Sequence, residues 1–264
     1  VPTFAANGIE IYYERNGSGP HTLFLNGSGA TLDSMRVLLP VLTEKLDLVA
    51  HDQRGLGRTS IPHGPYTMAD YAADAAAVLD HVGWESARVV GISFGGMVAQ
   101  EFAVTYPERV ERLALCCTSP GGPDFASYPL HNLADLPPAE RAAKGMQLLD
   151  TRFTPEYLAS HPNDRGLAEM MAARQTAEKS ADVMRGEAEQ LNARADHDVC
   201  DRLERITAPT FVACGRYDGI APLPNSEFIA AHIPKSELHL YEGGHAFFAQ
   251  DPKAFPEIIG FLAS

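Results

Sequence analysis

The sequence predicts an α/β protein: a mostly parallel central sheet flanked by helices on both faces, with a helical cap inserted after the sixth strand. Three observations carry this. Strand-like apolar runs alternate with helical patterns from residue 20 onward, the rhythm of strands connected through covering helices. The rhythm stops between Pro120 and Ala208, where strand signal fades and Ala, Arg, Glu and Met recur at helical spacing. In "VVGISFGGMVAQ" (89–100), a serine packed among glycines marks a sharp turn from strand to helix. The expected organisation is a core of residues 1–120 and 208–264 and a helical cap of residues 121–207.

Taken in order, two short runs at 2–6 and 9–15 flank an Asn-Gly pair, so the sheet should open with an antiparallel hairpin. "TLFLN" (22–26) reads as a buried strand, followed by a helix over about 33–44. "LDLVAHD" (46–52) is the next strand, and "MADYAADAAAVLDHVGW" (68–84) an Ala-rich amphipathic helix. "ARVVGI" (87–92) leads into a helix over 94–106, then "VERLALCCT" (110–118) forms a strand. "SPGGPD" opens the inserted segment. After it come a strand "TFVAC" (210–214), a helix over 223–232, a strand "ELHLY" (237–241) and a last helix over 246–263.

With 264 residues the chain can bury a large core. Its 21 basic and 34 acidic residues give a formal net charge of −13. That balance disfavours nucleic acid and anionic membranes as partners. No apolar stretch approaches a membrane span and no signal peptide is legible, so the expected location is the cytoplasm. Cys116, Cys117, Cys200 and Cys214 read as free thiols, the first two and the last in strand-like runs. No CxxC or HxxxH pair appears; neither a metal nor a cofactor is expected.

A tight strand-to-helix turn forces Ser93 into strained backbone angles. Residues two positions away must lack bulk, which Gly91 and Gly95 satisfy. The turn lifts the hydroxyl clear of the sheet and sets the Phe94 amide at a helix N-terminus, where it can stabilise an oxyanion. A hydroxyl needs a base to act as a nucleophile. Of ten histidines, His245 in "YEGGHAFFAQDP" lies just past the last strand; His239 lies inside that strand and His51 beside Asp52. A carboxylate should fix the imidazole tautomer. Asp218 in "GRYDGIAP" is the candidate, with Asp124 as its rival. The second oxyanion donor is expected in "NGSGAT", with the Ser28 amide as the best placed.

These segments together resemble the α/β-hydrolase superfamily. "HDQRGLGRTS" (51–60) is similar to its D-x-R-G-x-G-x-S segment, "GISFGG" to its nucleophile elbow, "GRYDGIAP" to the acid loop and "GGHAFFAQDP" to the histidine loop. "HGPYTMADYAADAAAVLDHVGW" resembles bacterial 3-oxoadipate enol-lactonases, and Asn26-Gly27, where many relatives carry His-Gly, fits that branch. The resemblance implies a cofactor-independent serine hydrolase of a small ester or lactone, working through Ser93, His245 and Asp218. The alternatives are a carbon–carbon bond hydrolase of a dienone-type substrate, a cofactor-free perhydrolase, or a ligand receptor without turnover. Substrate-contact candidates are Asn26, His131, Arg165, Met170, Met171 and Arg174. Arg174 is the candidate partner for a substrate carboxylate, against the alternative of a neutral apolar pocket; Arg54 is expected to brace its own loop.

Overall fold

The computed structural model describes residues 2–176 and 178–264, the side chains of residues 134, 138 and 174–176 excepted. Eight strands form one sheet: β1 (Thr3–Ala6), β2 (Ile9–Asn16), β3 (His21–Leu25), β4 (Asp47–His51), β5 (Ala87–Ile92), β6 (Val110–Cys116), β7 (Thr210–Gly215) and β8 (Ser236–Tyr241). Their order is β1-β2-β4-β3-β5-β6-β7-β8. The β1–β2 and β2–β4 pairs are antiparallel and the rest parallel. The opening hairpin follows from Asn7 and Gly8, both with positive φ, the geometry a two-residue turn between right-twisted strands requires.

Alternate residues of the sheet enter separate layers. Leu23, Leu25, Val49, Val89, Leu113 and Val212 pack with α2 (Met68–His81), α3 (Phe94–Thr105) and α9 (Leu223–His232). Phe24, Leu48, Val90, Ala114 and Phe211 pack on the opposite face with α1 (Leu39–Thr43), α10 (Phe247–Gln250) and α11 (Ala254–Ala263). The period of two along each strand produces this division.

Between β6 and β7 lie α4 (Gly122–Phe125), α5 (Pro138–Leu149), α6 (Pro155–Ser160), α7 (Pro162–Thr176) and α8 (Ala181–Ala195), with 3₁₀ turns at Leu130–Asp135 and Cys200–Arg205. Among the described residues no strand from this segment joins the sheet. Thr154 and Ser180 cap α6 and α8 by accepting the N–H groups of Tyr157 and Val183, each cap contributing about 1 kcal/mol. Leu149, Phe153, Leu158 and Ala168 form a small separate core that also touches Ala246. Among the described residues no helix is long and apolar enough to cross a membrane.

Two expected helices are broken. The pattern over 33–44 becomes a 3₁₀ turn at Asp33–Met35 and a short α1, because Pro40 lacks an N–H and fits only a first turn. The pattern over 246–263 divides at Asp251, whose φ of −104° and ψ of 114° are extended, as a residue preceding a proline prefers.

His51 and His197 are buried, and burial pulls each imidazole from 6.5 down to about 4. The unfolded chain therefore takes up these protons near pH 6.5, the folded chain not until about pH 4. Stability from this source is complete above pH 6.5 and is lost as the pH falls toward 4, by about 3 kcal/mol per residue. Urea unfolding at pH 7.5 and 4.5 should show this drop, and His51→Gln combined with His197→Gln should flatten it. An unchanged pH dependence in the double variant would overturn the attribution.

Candidate active site

The order of strands brings the site together. From β3 the chain crosses to β4 on one side and later returns to β5 on the other. That reversal opens a crevice beyond the carboxyl ends of β3 and β5, where ligands bind in open parallel sheets. Leu25 is in register with Gly91, so the loop after β3 faces the turn after β5. A Cβ built on Gly27 would lie 3.6 Å from Ser93 Cβ.

Ser93 occupies that turn with φ 57° and ψ −116°, a left-handed conformation costing about 1–3 kcal/mol in a residue with a side chain. Its N–H donates to Cys116 O at 2.8 Å, and Thr118 Oγ1 donates to Ser93 O at 2.8 Å. Close packing explains the glycines. A Cβ at Gly91 would meet the Gly95 carbonyl, and one at Gly95 would meet the Leu25 carbonyl. Because Phe94 is the first residue of α3, its N–H has no partner within the helix.

The structure brings Ser93, His245 and Asp218 into one chain of hydrogen bonds. Ser93 Oγ lies 2.9 Å from His245 Nε2, and His245 Nδ1 lies 2.8 Å from Asp218 Oδ2. Asp218 is buried, and its Oδ1 accepts the N–H groups of Ile220 and Ala221 at 2.8 and 2.9 Å. With a carboxylate at Nδ1, the neutral imidazole carries its proton there, and Nε2 is left to accept from the serine. Asp124 is exposed on α4 and takes no part in this chain. His51 lies buried in β4, and His239 stacks on Phe211 with ring centroids 3.8 Å apart.

In the loop 26–30 the Gly29 N–H donates to Gln190 Oε1 at 2.7 Å and the Ala30 N–H to Gly27 O at 3.2 Å. Ser28 stands between them, half-buried, its amide uncommitted among these bonds. The segment after β4 supports the loop from below. Gln53 Nε2 donates to Asn26 O at 2.7 Å, and Asp52 accepts from Leu32 N and Arg58 N at 2.7 and 2.9 Å. Burial pushes the Asp52 carboxyl above its usual range, opposed by those two amides. Arg54 pairs bidentately with Asp74 of α2 at 2.7 and 2.9 Å, bracing its own loop as its position suggested.

The end of α5 fastens both loops that carry Asp218 and His245. Leu149 O accepts the His245 N–H at 2.6 Å and Leu148 O the Gly219 N–H at 3.1 Å, while Thr151 N donates to Tyr217 O at 2.9 Å. Gln250 Oε1 accepts the Gly244 N–H at 2.8 Å, and its Nε2 bridges Asp150 and Asp164 at 2.9 and 3.1 Å. Sequence reading missed Asp150, Gln250 and Gln190; polar residues spaced along helices give the same signal as a solvated face.

A cavity of about 230 Å³ opens onto His245 and is lined mainly by apolar residues of α5 and α7, with Met146, Met171, Ile220 and Arg141 among them. Of the substrate-contact candidates, Met171 lines this cavity. Asn26 is fully buried beside the site. His131, Arg165 and Met170 are exposed, and Arg165 lies 3.9 Å from Glu169. Arg174 falls within α7, but its side chain lies outside the described residues.

The sheet order, the turn after β5 and the three side chains define a known class, and the chain belongs to the alpha/beta hydrolase fold family, whose sequence profile matches residues 20–252. It is 31% identical over 238 residues to a poly(3-hydroxyalkanoate) depolymerase of Ectopseudomonas oleovorans, covering 90% of this chain and 82% of the relative. It is 28% identical over 260 residues to 3-oxoadipate enol-lactonase 2 of Acinetobacter baylyi, covering 97% and 94%. A solved structure of a hydrolase from Pseudomonas aeruginosa PA01 superposes with a TM-score of 0.82 at 29% identity, covering 100% of this chain and 98% of the other.

Proposed function

We propose that the protein is a serine hydrolase of small ester or lactone substrates. The observation that carries this is the chain from Ser93 Oγ through His245 to Asp218, at 2.9 and 2.8 Å. His245 Nε2 takes the Ser93 proton as Oγ attacks the carbonyl carbon. Asp218 holds the imidazole orientation and stabilises its charged form. The Phe94 and Ser28 amides receive the oxyanion, and His245 returns the proton to the leaving alkoxide. Water then attacks the acyl-enzyme by the same route and releases the acid. The relatives support an ester linkage as the target: one is named an enol-lactonase and another a poly(3-hydroxyalkanoate) depolymerase, and lactones and polyhydroxyalkanoates are joined through esters. Residues 121–207 act in this reading as a cap whose α5 and α7 wall the pocket.

A fluorophosphonate probe tests the reading directly, since it labels only a nucleophile already activated by its base. Peptide mass analysis should place the adduct on Ser93, alongside turnover of short-chain methyl and p-nitrophenyl esters. A folded protein that neither takes the label nor turns over any ester would refute it.

A further inference from the structure

Arg194 is buried on α8 at 6% exposure, and nothing in the proposed reaction uses it. Its Nη1 donates to Tyr128 O at 2.9 Å, but Nε and Nη2 are buried without a hydrogen-bond partner among the described residues. Among the same residues no carboxylate lies within ion-pair distance of it. A guanidinium stays charged at neutral pH, and a buried charge is stable when a counter-charge meets it. Burial pulls this one down to about 10, with Asp218 acting in the opposite direction.

Its position ties it to both sides of the site. One helical turn earlier, Gln190 faces the same way and holds the Gly29 amide of the loop after β3 at 2.7 Å. On the other side, Tyr128, whose carbonyl Arg194 holds, donates its N–H to Ile220 O in the acid loop at 2.8 Å. Ile220 lines the cavity that reaches His245. Gln190 Nε2, Asn26 Nδ2 and Ser28 Oγ are likewise buried without a partner among the described residues. Unpaired donors thus collect on α8 and on the loop facing the nucleophile.

We propose that Arg194, assisted by Gln190, forms an anion subsite that binds a carboxylate carried by the ester or lactone substrate. The inference rests on the hydrolase reading and narrows its substrate class to acids bearing the scissile ester at a short distance. The planar guanidinium has two adjacent N–H donors, Nε and Nη2, in the geometry that grips both carboxylate oxygens. In a chain of net charge −13 such a local cation is also what lets an anion approach at all.

The test compares monomethyl glutarate with methyl pentanoate, which match in chain length and differ in the terminal charge. Hydrolysis is followed by proton release in wild type, Arg194→Met, Arg194→Lys and Arg141→Met. Binding of both esters to the Ser93→Ala protein, with and without the Arg194 changes, is measured by calorimetry. Arg194→Met should lower the ratio of kcat/KM for the charged over the neutral ester by about 10- to 100-fold, through KM, with partial recovery in Arg194→Lys. If Arg194 merely steadies Asp218, both esters fall together and the ratio is unchanged, which overturns the subsite. A ratio controlled by Arg141 overturns it too, because that residue lines the cavity from α5. Should Arg194→Met fail to fold, Arg194→Lys and Gln190→Met must still shift the ratio. Carboxylate binding that depends on Arg194, in a protein that neither takes the fluorophosphonate label nor turns over any ester, would refute the hydrolase reading and leave the subsite standing. Turnover of both esters with binding indifferent to Arg194 would do the reverse.

Discussion

Ser93→Ala should lower kcat by about 10⁴-fold or more with no loss of fold. The substitution deletes one half-exposed hydroxyl and no core volume, while His245 and Asp218 keep their own hydrogen bond at 2.8 Å. A second variant separates chemistry from structure. Ser93 holds a φ of 57° that a side chain adopts with strain, so Ser93→Gly should be equally inactive yet unfold about 1 kcal/mol later. Circular dichroism, thermal unfolding and ester turnover on the two purified variants decide it. Near-full activity in a folded Ser93→Ala protein would place the nucleophile elsewhere.

Asp218→Asn should cost about 10⁴-fold in kcat near neutral pH. The carboxylate accepts three N–H groups, two from Ile220 and Ala221 and one from the histidine. An amide has one oxygen, and the two backbone donors claim it. The NH₂ group then faces His245 Nδ1, favours the tautomer protonated at Nε2, and leaves no acceptor for the Ser93 proton. Asp124→Asn, on an exposed helix away from this chain, should change kcat less than about threefold, as surface changes away from a site usually do. A harmless Asp218→Asn together with a damaging Asp124→Asn would reverse the assignment of the acid.

Most of the sheet, and the meeting of Ser93, His245 and Asp218 in one chain of hydrogen bonds, were legible because their signals are local. β-branched runs mark the strands, and glycines flanking Ser93 mark a turn that only small neighbours permit. His245 and Asp218 were legible by position, each in the loop after a strand that the alternating pattern already located. What escaped is set by distance in space rather than by spacing in sequence. Gln190, inside the inserted segment, reaches Gly29 in the loop after β3, and Gln250 reaches Asp150 and Asp164 from the far end of the chain. A helix that is polar all round gives no sign of which face is inward, so α8 and α7 could not be oriented: Met171 faces the cavity while its neighbour Met170 is 55% exposed. The break in the pattern over 33–44 was readable from Pro40; the run of leucines masked it.

The fastening of residues 148–151 to the loops of Asp218 and His245 sets where evolution or an engineer can exchange one inserted segment for another. By chain order these residues belong to the insertion, yet their backbone groups complete the hydrogen bonding of Tyr217, Gly219 and His245. A recombinant that replaces 121–207 as a single cassette would import a foreign stretch at the place where the recipient's Asp218 and His245 loops meet specific backbone groups. Recombination joints placed at 147 and 152 would leave that stretch native and free the flanking helices to diverge. In the hydrolase reading, substrate range is then open to change through α7 and α8, while the turn at the end of α5 is inherited with the core.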